Sequence, residues 1–376
     1  MPKRVNFIGI QNEHTLACDG YHQYTVRTGY DSVIGQRTGD LFCYTAKKPG
    51  KVREVNKSGI IVDYDDGDTQ GFELGRRFGS AAGLTIAHQV VTQLKAGDKF
   101  ELGQAIVYND GFFEPDFFDP KKVVFKNAME VNTVLMESPV THEDSSAIST
   151  RISDKMSTNT TKIKYVILRF DQAVSQIVQS GQEVTSDTVL CTVEDPMTAN
   201  SQLFDEKSIE TLKILSAQTP RAHAKGVVER IEFYYHGEKE DMSATLQELC
   251  TQSDKQFKKR AHDKGAQGYS GQVDGGFRID GKPLPVDTVA VKFYITSSIR
   301  AGVGDKGVFA NQMKTVIGDV IEGEMKAQDG TPIDAVFGYK SIEARIVNSP
   351  ILIGTTAALL KVIAKKAVEL YEGKVS

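Results

Sequence analysis

The stretch from Gly304 to Pro350 constrains this chain most. It is a series of short apolar runs cut by glycines, so it suits short strands joined by tight turns. It carries Gly304-Asp305-Lys306 and, eight residues on, a second lysine, Lys314. Val316-Ile317, an acidic turn, Asp329-Gly330-Thr331-Pro332-Ile333-Asp334 and finally Arg345 follow. Lysine is a compact, mobile point charge. Two lysines and an arginine on glycine-punctuated loops suit a site for phosphate groups.

The rest of the chain repeats this style. Lys51 to Gly71 alternates apolar and polar residues about a turn at Asn56-Lys57-Ser58-Gly59, which predicts a pair of hairpins. Strands are also predicted over 162–170 and 225–235. Val289, Val291, Phe293 and Ile295 share one face of a further strand. Helical patterns are few. One covers 208–217, with Ile209, Leu212 and Leu215 on one face. Another covers 244–262 and ends in Lys255, Lys258, Lys259 and Arg260; this basic end suits either a solvated helix terminus or a nucleic-acid contact. Residues 267–282 form a Gly-rich loop or linker. A last helix runs from Ile351 to Tyr371, capped by Asn348 or Ser349, with Pro350 at its start and Gly373 at its end. Its Ala and Leu content suggests core packing.

The chain has 376 residues, enough for two or three domains with ample core. Its net charge of -4 counts mildly against a stand-alone nucleic-acid binder. The four cysteines, Cys18, Cys43, Cys191 and Cys250, form no CxxC and suit reduced, partly buried thiols. No basic-then-apolar signal opens the sequence. The longest apolar run, 351–364, is interrupted by Lys361 and is too short to span a bilayer, so no membrane partner is expected.

The order of these pieces resembles the catalytic core of the β subunit of multisubunit DNA-directed RNA polymerases. The resembling pieces are Gly304-Asp305-Lys306, Lys314, the 329–334 run, Ala344-Arg345-Ile346 and, upstream, His142-Glu143-Asp144-Ser145, which is similar to that family's YEDS element. Thr28-Gly29-Tyr30-Asp31 resembles its TGME element, with Ser32 where the family has arginine. Segments 94–110, 181–193 and 225–235 resemble its hairpin and flap-base strands. The likeness runs from about Thr28 to Pro350.

It implies template-directed nucleotidyl transfer with two metals. Lys306 and Lys314 would face the RNA 3′ end and the nucleotide phosphates. Arg345 would neutralise the triphosphate, and Glu143 and Asp144 would assist at a second Mg²⁺. The main Mg²⁺ site is expected on a β′ partner chain. Read from the residues alone, Glu143 and Asp144 also suit the start of a helix, where acids favour the dipole. The turn Asp63-Tyr64-Asp65-Asp66-Gly67-Asp68 superficially resembles the triple aspartate of β′. Its place in a β-subunit hairpin, and a spacing that departs from calcium loops, favour turn chemistry. Gly97-Asp98-Lys99 has no second lysine at the right spacing and is likewise read as a turn.

The implied fold is mainly β with some α: a double-psi β-barrel from two separated segments, 101–165 and 286–350, with a flap-like insertion over 166–285. Residues 1–100 would form a hybrid-binding-like β region and 351–376 the C-terminal helix. The likeness suggests the C-terminal half of a split β subunit of giant-bacteriophage type. Expected partners are the N-terminal half of β, the β′ chains, DNA template, RNA transcript, NTPs and a specificity factor. The expected location is the host cytoplasm or the virion. The alternative is a non-catalytic β paralogue that regulates a host polymerase or binds nucleic acid, suggested by GVFANQMKT standing where the family has GRHGNKG.

Overall fold

A computed structural model describes residues 5–12, 17–27, 29–81, 84–126, 128–196, 218–263, 270–310, 313–345 and 348–373. Thr28, the helix expected over 208–217, the first part of the 267–282 loop, Asn311-Gln312 and Ile346 lie outside the described residues. The chain is mainly β with a few helices.

Six strands close into a barrel. They are β1 (Val5–Asn12), β2 (Met129–Leu135), β3 (Ser145–Ser149), β4 (Lys306–Phe309), β5 (Met313–Ile321) and β6 (Ala335–Phe337). Their order around the barrel is β1-β2-β6-β3-β5-β4, and β4 returns to β1. Two neighbouring pairs are parallel: β2 with β6, where Thr133 faces Ala335, and β3 with β5, where Ser145 faces Val316. Side chains alternate in and out. Met313, Thr315 and Ile317 are buried along β5 while Lys314 is exposed. Met129, Val131, Leu135, Ile148, Phe309, Phe337 and their neighbours fill the interior. The Phe309 and Phe337 rings meet at 5.0 Å.

A second sheet carries the long strands Thr158–Arg169, Gly226–His236 and Thr288–Ile299, flanked by Glu183–Val184, Gly75–Ala81, Leu84–Val91, Ala105–Asn109 and Cys43–Thr45. Val289, Val291, Phe293 and Ile295 share one buried face, as their alternation predicts. Helix α2 (Ala244–Asp263) covers that face with Leu246 and Cys250. A smaller sheet pairs Gly50–Val55, Gly59–Tyr64, Thr69–Glu73 and Lys99–Phe100, with Asn56 Oδ1 accepting from the Ser58 and Gly59 amides in the expected turn. Among the described residues, the other α-helices are α1 (Thr150–Lys155), α3 (Tyr339–Arg345) and α4 (Ser349–Tyr371).

Several expectations are corrected. The barrel draws on three segments, not two, because β1 bonds to both β2 and β4 and leaves no open edge between them. The N-terminal stretch is therefore not wholly part of a separate 1–100 region. Ala105–Asn109 and Thr288–Ile299, inside the expected barrel segments, and Thr158–Arg169, which begins inside the first and runs past its end, belong to the second sheet. Segment 94–110 is not a hairpin: Lys99–Phe100 pairs with Gly50-Lys51, whereas Ala105–Asn109 pairs with Cys43–Thr45 and Val90-Val91. Helix α4 is not core. Only Pro350, Gly354 and Ala357 are buried along it.

The four cysteines are buried thiols. Burial pushes the Cys191 thiol up to about 11 and those of Cys43 and Cys250 to about 12. Among the described residues, no helix is long and apolar enough to cross a membrane.

Candidate functional site

The hairpin β4–β5 carries both lysines. Lys306 opens β4 and lies opposite Val316; Lys314 lies opposite Val308. Opposed residues in an antiparallel pair point to the same face, so Lys306 and Lys314 are diagonal neighbours, with backbones about 7–8 Å apart. Both side chains are exposed, on the outside of the barrel wall whose inside is Phe309 and Met313. They were expected on loops, but both stand in strands, and the hairpin register sets their spacing. Gly304, at φ +94°, makes the turn into β4, and its amide donates to the Ile317 carbonyl at 2.8 Å.

The acid pair reaches the same rim from the other side of β5. The Val316 amide donates to the Asp144 carbonyl at 3.1 Å, and Ser145 is the parallel partner of Val316. Lys306, Val316 and Ser145 therefore form one row across three strands, with about 10 Å between its outer backbones. Glu143 and Asp144 are exposed in the turn that feeds β3. They do not start a helix: α1 begins at Thr150, capped by Ser149 Oγ, which accepts from the Ile152 amide.

The loop bearing these acids is held firmly. The Met136 amide donates to the Phe337 carbonyl at 2.9 Å, and Thr141 Oγ1 donates to the Met136 carbonyl at 3.0 Å. Glu143 sits at φ 56°, a left-handed conformation uncommon for a non-glycine residue. Ser341 Oγ, on α3, donates to the Glu143 carbonyl, and the Lys340 amide donates to Glu137 Oε1 at 2.7 Å. Arg345 ends α3, four residues after Ser341 and so one turn along the same side. It was expected on a loop; it rides instead on a helix docked to the acid-bearing loop.

Gly318 allows the close approach of β3 and β5. It is the extra residue where the register steps from Ser146–Ile317 to Ala147–Asp319, and a Cβ there would come 2.2 Å from Ser145 Oγ. All five singled-out residues are thus gathered around the β3–β5–β4 wall and the adjoining α3.

No family model matches the chain, and no curated protein matches it.

The structure adds residues that sequence reasoning passed over. Asp334, the last residue of the 329–334 run, is 3% exposed and ion-pairs with Arg151 of α1. The Asn132 amide donates to its Oδ2 at 3.0 Å, and the Ser149 amide donates to its carbonyl at 2.8 Å. Asp334 therefore ties β2, β3, α1 and β6 together. Thr133 and Ser146 place buried hydroxyls, without a hydrogen-bond partner among the described residues, on the inner faces of β2 and β3. No signal in the local sequence marks either feature, because their neighbours are far away along the chain.

The aspartate turn is largely accounted for by basic and hydroxyl neighbours on and beside the small sheet. It joins Gly59–Tyr64 to Thr69–Glu73. Asp63 pairs with Arg53 and accepts from Thr69 Oγ1, while Asp66 and Asp68 both pair with Lys48. The Arg53 hydrogen bonds hold the Asp63 carboxyl below its ordinary value, and Lys48 does the same for Asp66. Among the described residues, no group of three or more His, Cys, Asp or Glu side chains is placed to hold a metal ion.

Proposed function

We propose that this chain is a subunit of a DNA-dependent RNA polymerase and supplies part of the wall of its active site. One observation carries the reading. Segments far apart in sequence, one bearing Glu143-Asp144 and the other Lys306 and Lys314, meet as adjacent strands of one closed barrel. Each pattern alone is a common surface arrangement. Their convergence on one rim, with Arg345 on the neighbouring helix, is what a triphosphate-binding wall requires. On this reading the six-stranded barrel with its two parallel pairs is a double-psi β-barrel.

Lys306 and Lys314 hold the charge of the RNA 3′ end and the nucleotide phosphates as the 3′-hydroxyl oxygen attacks the α-phosphorus and pyrophosphate leaves. Arg345 neutralises the triphosphate with its planar fork of donors. Magnesium, when bound with the triphosphate, supplies further charge neutralisation. It takes one or two carboxylates together with substrate phosphates and water. Glu143 and Asp144 would supply carboxylates of that kind to a second ion, and the main ion would fall to a β′ chain. The partners on this reading are the other half of β, the β′ chains, template, transcript and NTPs.

A tagged chain purified from its native source tests the proposal. It is expected to bring down at least three polymerase-like chains that together extend RNA on a preformed RNA–DNA scaffold. Recovery as a monomer without such partners, or a complex that extends no RNA, rejects it in favour of a non-catalytic protein.

A further inference from the structure

Helix α4 rests on the barrel along one side only, yet it carries apolar residues on its opposite side as well. It packs against β1; Pro350, Gly354 and Ala357 are buried there, and Lys361 Nζ reaches Asn132 Oδ1 at 3.4 Å. Successive residues turn about 100° around a helix. On that spacing Leu352, Leu359, Ile363 and Leu370 lie within about 20° of one line, opposite the buried side. They are 66%, 59%, 52% and 59% exposed. With Thr356 and Lys366 they form a seam whose members are alternately four and three residues apart, the repeat by which one helix packs along another.

The seam is complementary to itself when reversed. Lay it antiparallel on a second copy, with the two-fold axis at Lys361. Leu352 then meets Leu370, Leu359 meets Ile363, and Thr356 meets Lys366. Beside the axis, Leu360 faces Leu360 and Val362 faces Val362. No like charges meet, since Lys361 and Lys365 lie off the seam and Lys365 is 3.9 Å from Glu369 on its own helix. A parallel pairing in register would instead press Lys366 against Lys366, burying two like charges together. The buried side of α4 is opposite the seam, so the two barrels stand on the outer sides of the helix pair. This is the geometry of an isologous contact, in which one patch serves both partners.

We infer that α4 is a self-pairing helix, through which two copies of this chain associate antiparallel along Leu352, Leu359, Ile363 and Leu370. The inference does not rest on the polymerase reading.

The test uses the full chain. Light scattering on the eluting protein is expected to give twice the chain mass. The double variant Leu359→Glu/Ile363→Glu is expected to give a single chain mass, with an unchanged circular dichroism spectrum because both side chains are exposed. Register is read by mixing Leu352→Cys and Leu370→Cys proteins under mild oxidation, the four native cysteines being buried. The expected product is the mixed cross-link, with little Ile363→Cys homodimer. A wild-type chain that stays single at high concentration overturns the inference. So does a dimer that survives the glutamates, one that cross-links through Ile363→Cys alone, or a seam protected only when a different chain is added.

Discussion

Asp334 offers a direct measure of what holds the barrel at the junction of β2, β3 and β6. Its carboxylate is buried, pairs with Arg151 and accepts from the Asn132 amide. Asp334→Ala removes both contacts and strands the half-buried Asn132 amide. A hydrogen bond to a charged group is worth about 1.5–3 kcal/mol, and an orphaned buried donor costs about 1–3 kcal/mol. Arg151 is half exposed, which lowers the ion-pair share. Together these give about 3 kcal/mol for Asp334→Ala. Asp334→Asn keeps an acceptor for the Asn132 amide and loses only the charge, so about 1.5 kcal/mol is expected. Arg151→Ala leaves the carboxylate bonded but unneutralised and is expected near about 2 kcal/mol. Urea unfolding followed by circular dichroism reads these values. At a slope of about 3 kcal/mol per molar, the Ala variant shifts the midpoint by about 1 M. If Ala and Asn shift it equally, the amide contact contributes nothing. If both stay within about 0.5 kcal/mol of the parent, Asp334 does not fasten the barrel.

Two further outcomes follow from charge. Burial alone pushes the Glu232 carboxyl up, but the Tyr294 hydroxyl, Arg260, the Tyr234 hydroxyl and Arg230 outweigh it and hold the carboxyl below its ordinary value. Burial, with Arg77 and Arg76 nearby, holds His88 below its ordinary value too. Both groups take up protons more readily when unfolded. Their stabilisation is therefore present above the unfolded values, about 4.3 and about 6.5, and is lost as pH falls through the lower folded ones. Melting temperature should drop on acidification, and Glu232→Gln should lower it near neutrality while flattening its acid dependence; an acid profile identical to the parent's contradicts this. Asp63→Asn with Asp65→Asn should leave assembly and RNA extension unchanged, since that turn is read as structural; loss of metal-dependent activity in an assembled variant would move the catalytic metal to this hairpin.

Local regularity made much of the fold legible. Val289, Val291, Phe293 and Ile295 alternate cleanly because one face of their strand is buried under α2. The 50–73 hairpins announce themselves through the Asn56 turn. The role of β1 was hidden because it is set by partners at Met129–Val134 and Gly307–Phe309, not by any period of its own. The exposure of α4 was hidden for a related reason: apolar composition does not tell which surface will cover a helix. At the site, residue types pointed to Lys306, Lys314, Arg345, Glu143 and Asp144, but the hairpin register that aligns the lysines and the β3–β5 pairing that adds the acids are tertiary facts. Arg151 opposite Asp334 belongs to the same class.

Lys306 and Lys314 are proposed to act on reacting phosphates. In a preorganised site, loss of one such donor slows the chemical step by about a hundredfold or more. An exposed strand lysine without that role is dispensable. The direct measurement is the rate of single-nucleotide addition by the assembled enzyme on a preformed RNA–DNA scaffold, with Lys306→Ala, Lys314→Ala and Lys99→Ala compared. Lys99 lies in the small sheet, opposite Lys51, and serves as the control. Assembly and DNA binding are expected to stay intact in all three variants, with a fall of about a hundredfold or more for Lys306→Ala and Lys314→Ala and a near-parental rate for Lys99→Ala. Parental rates in all three would contradict that role and leave the barrel as a binding or regulatory surface.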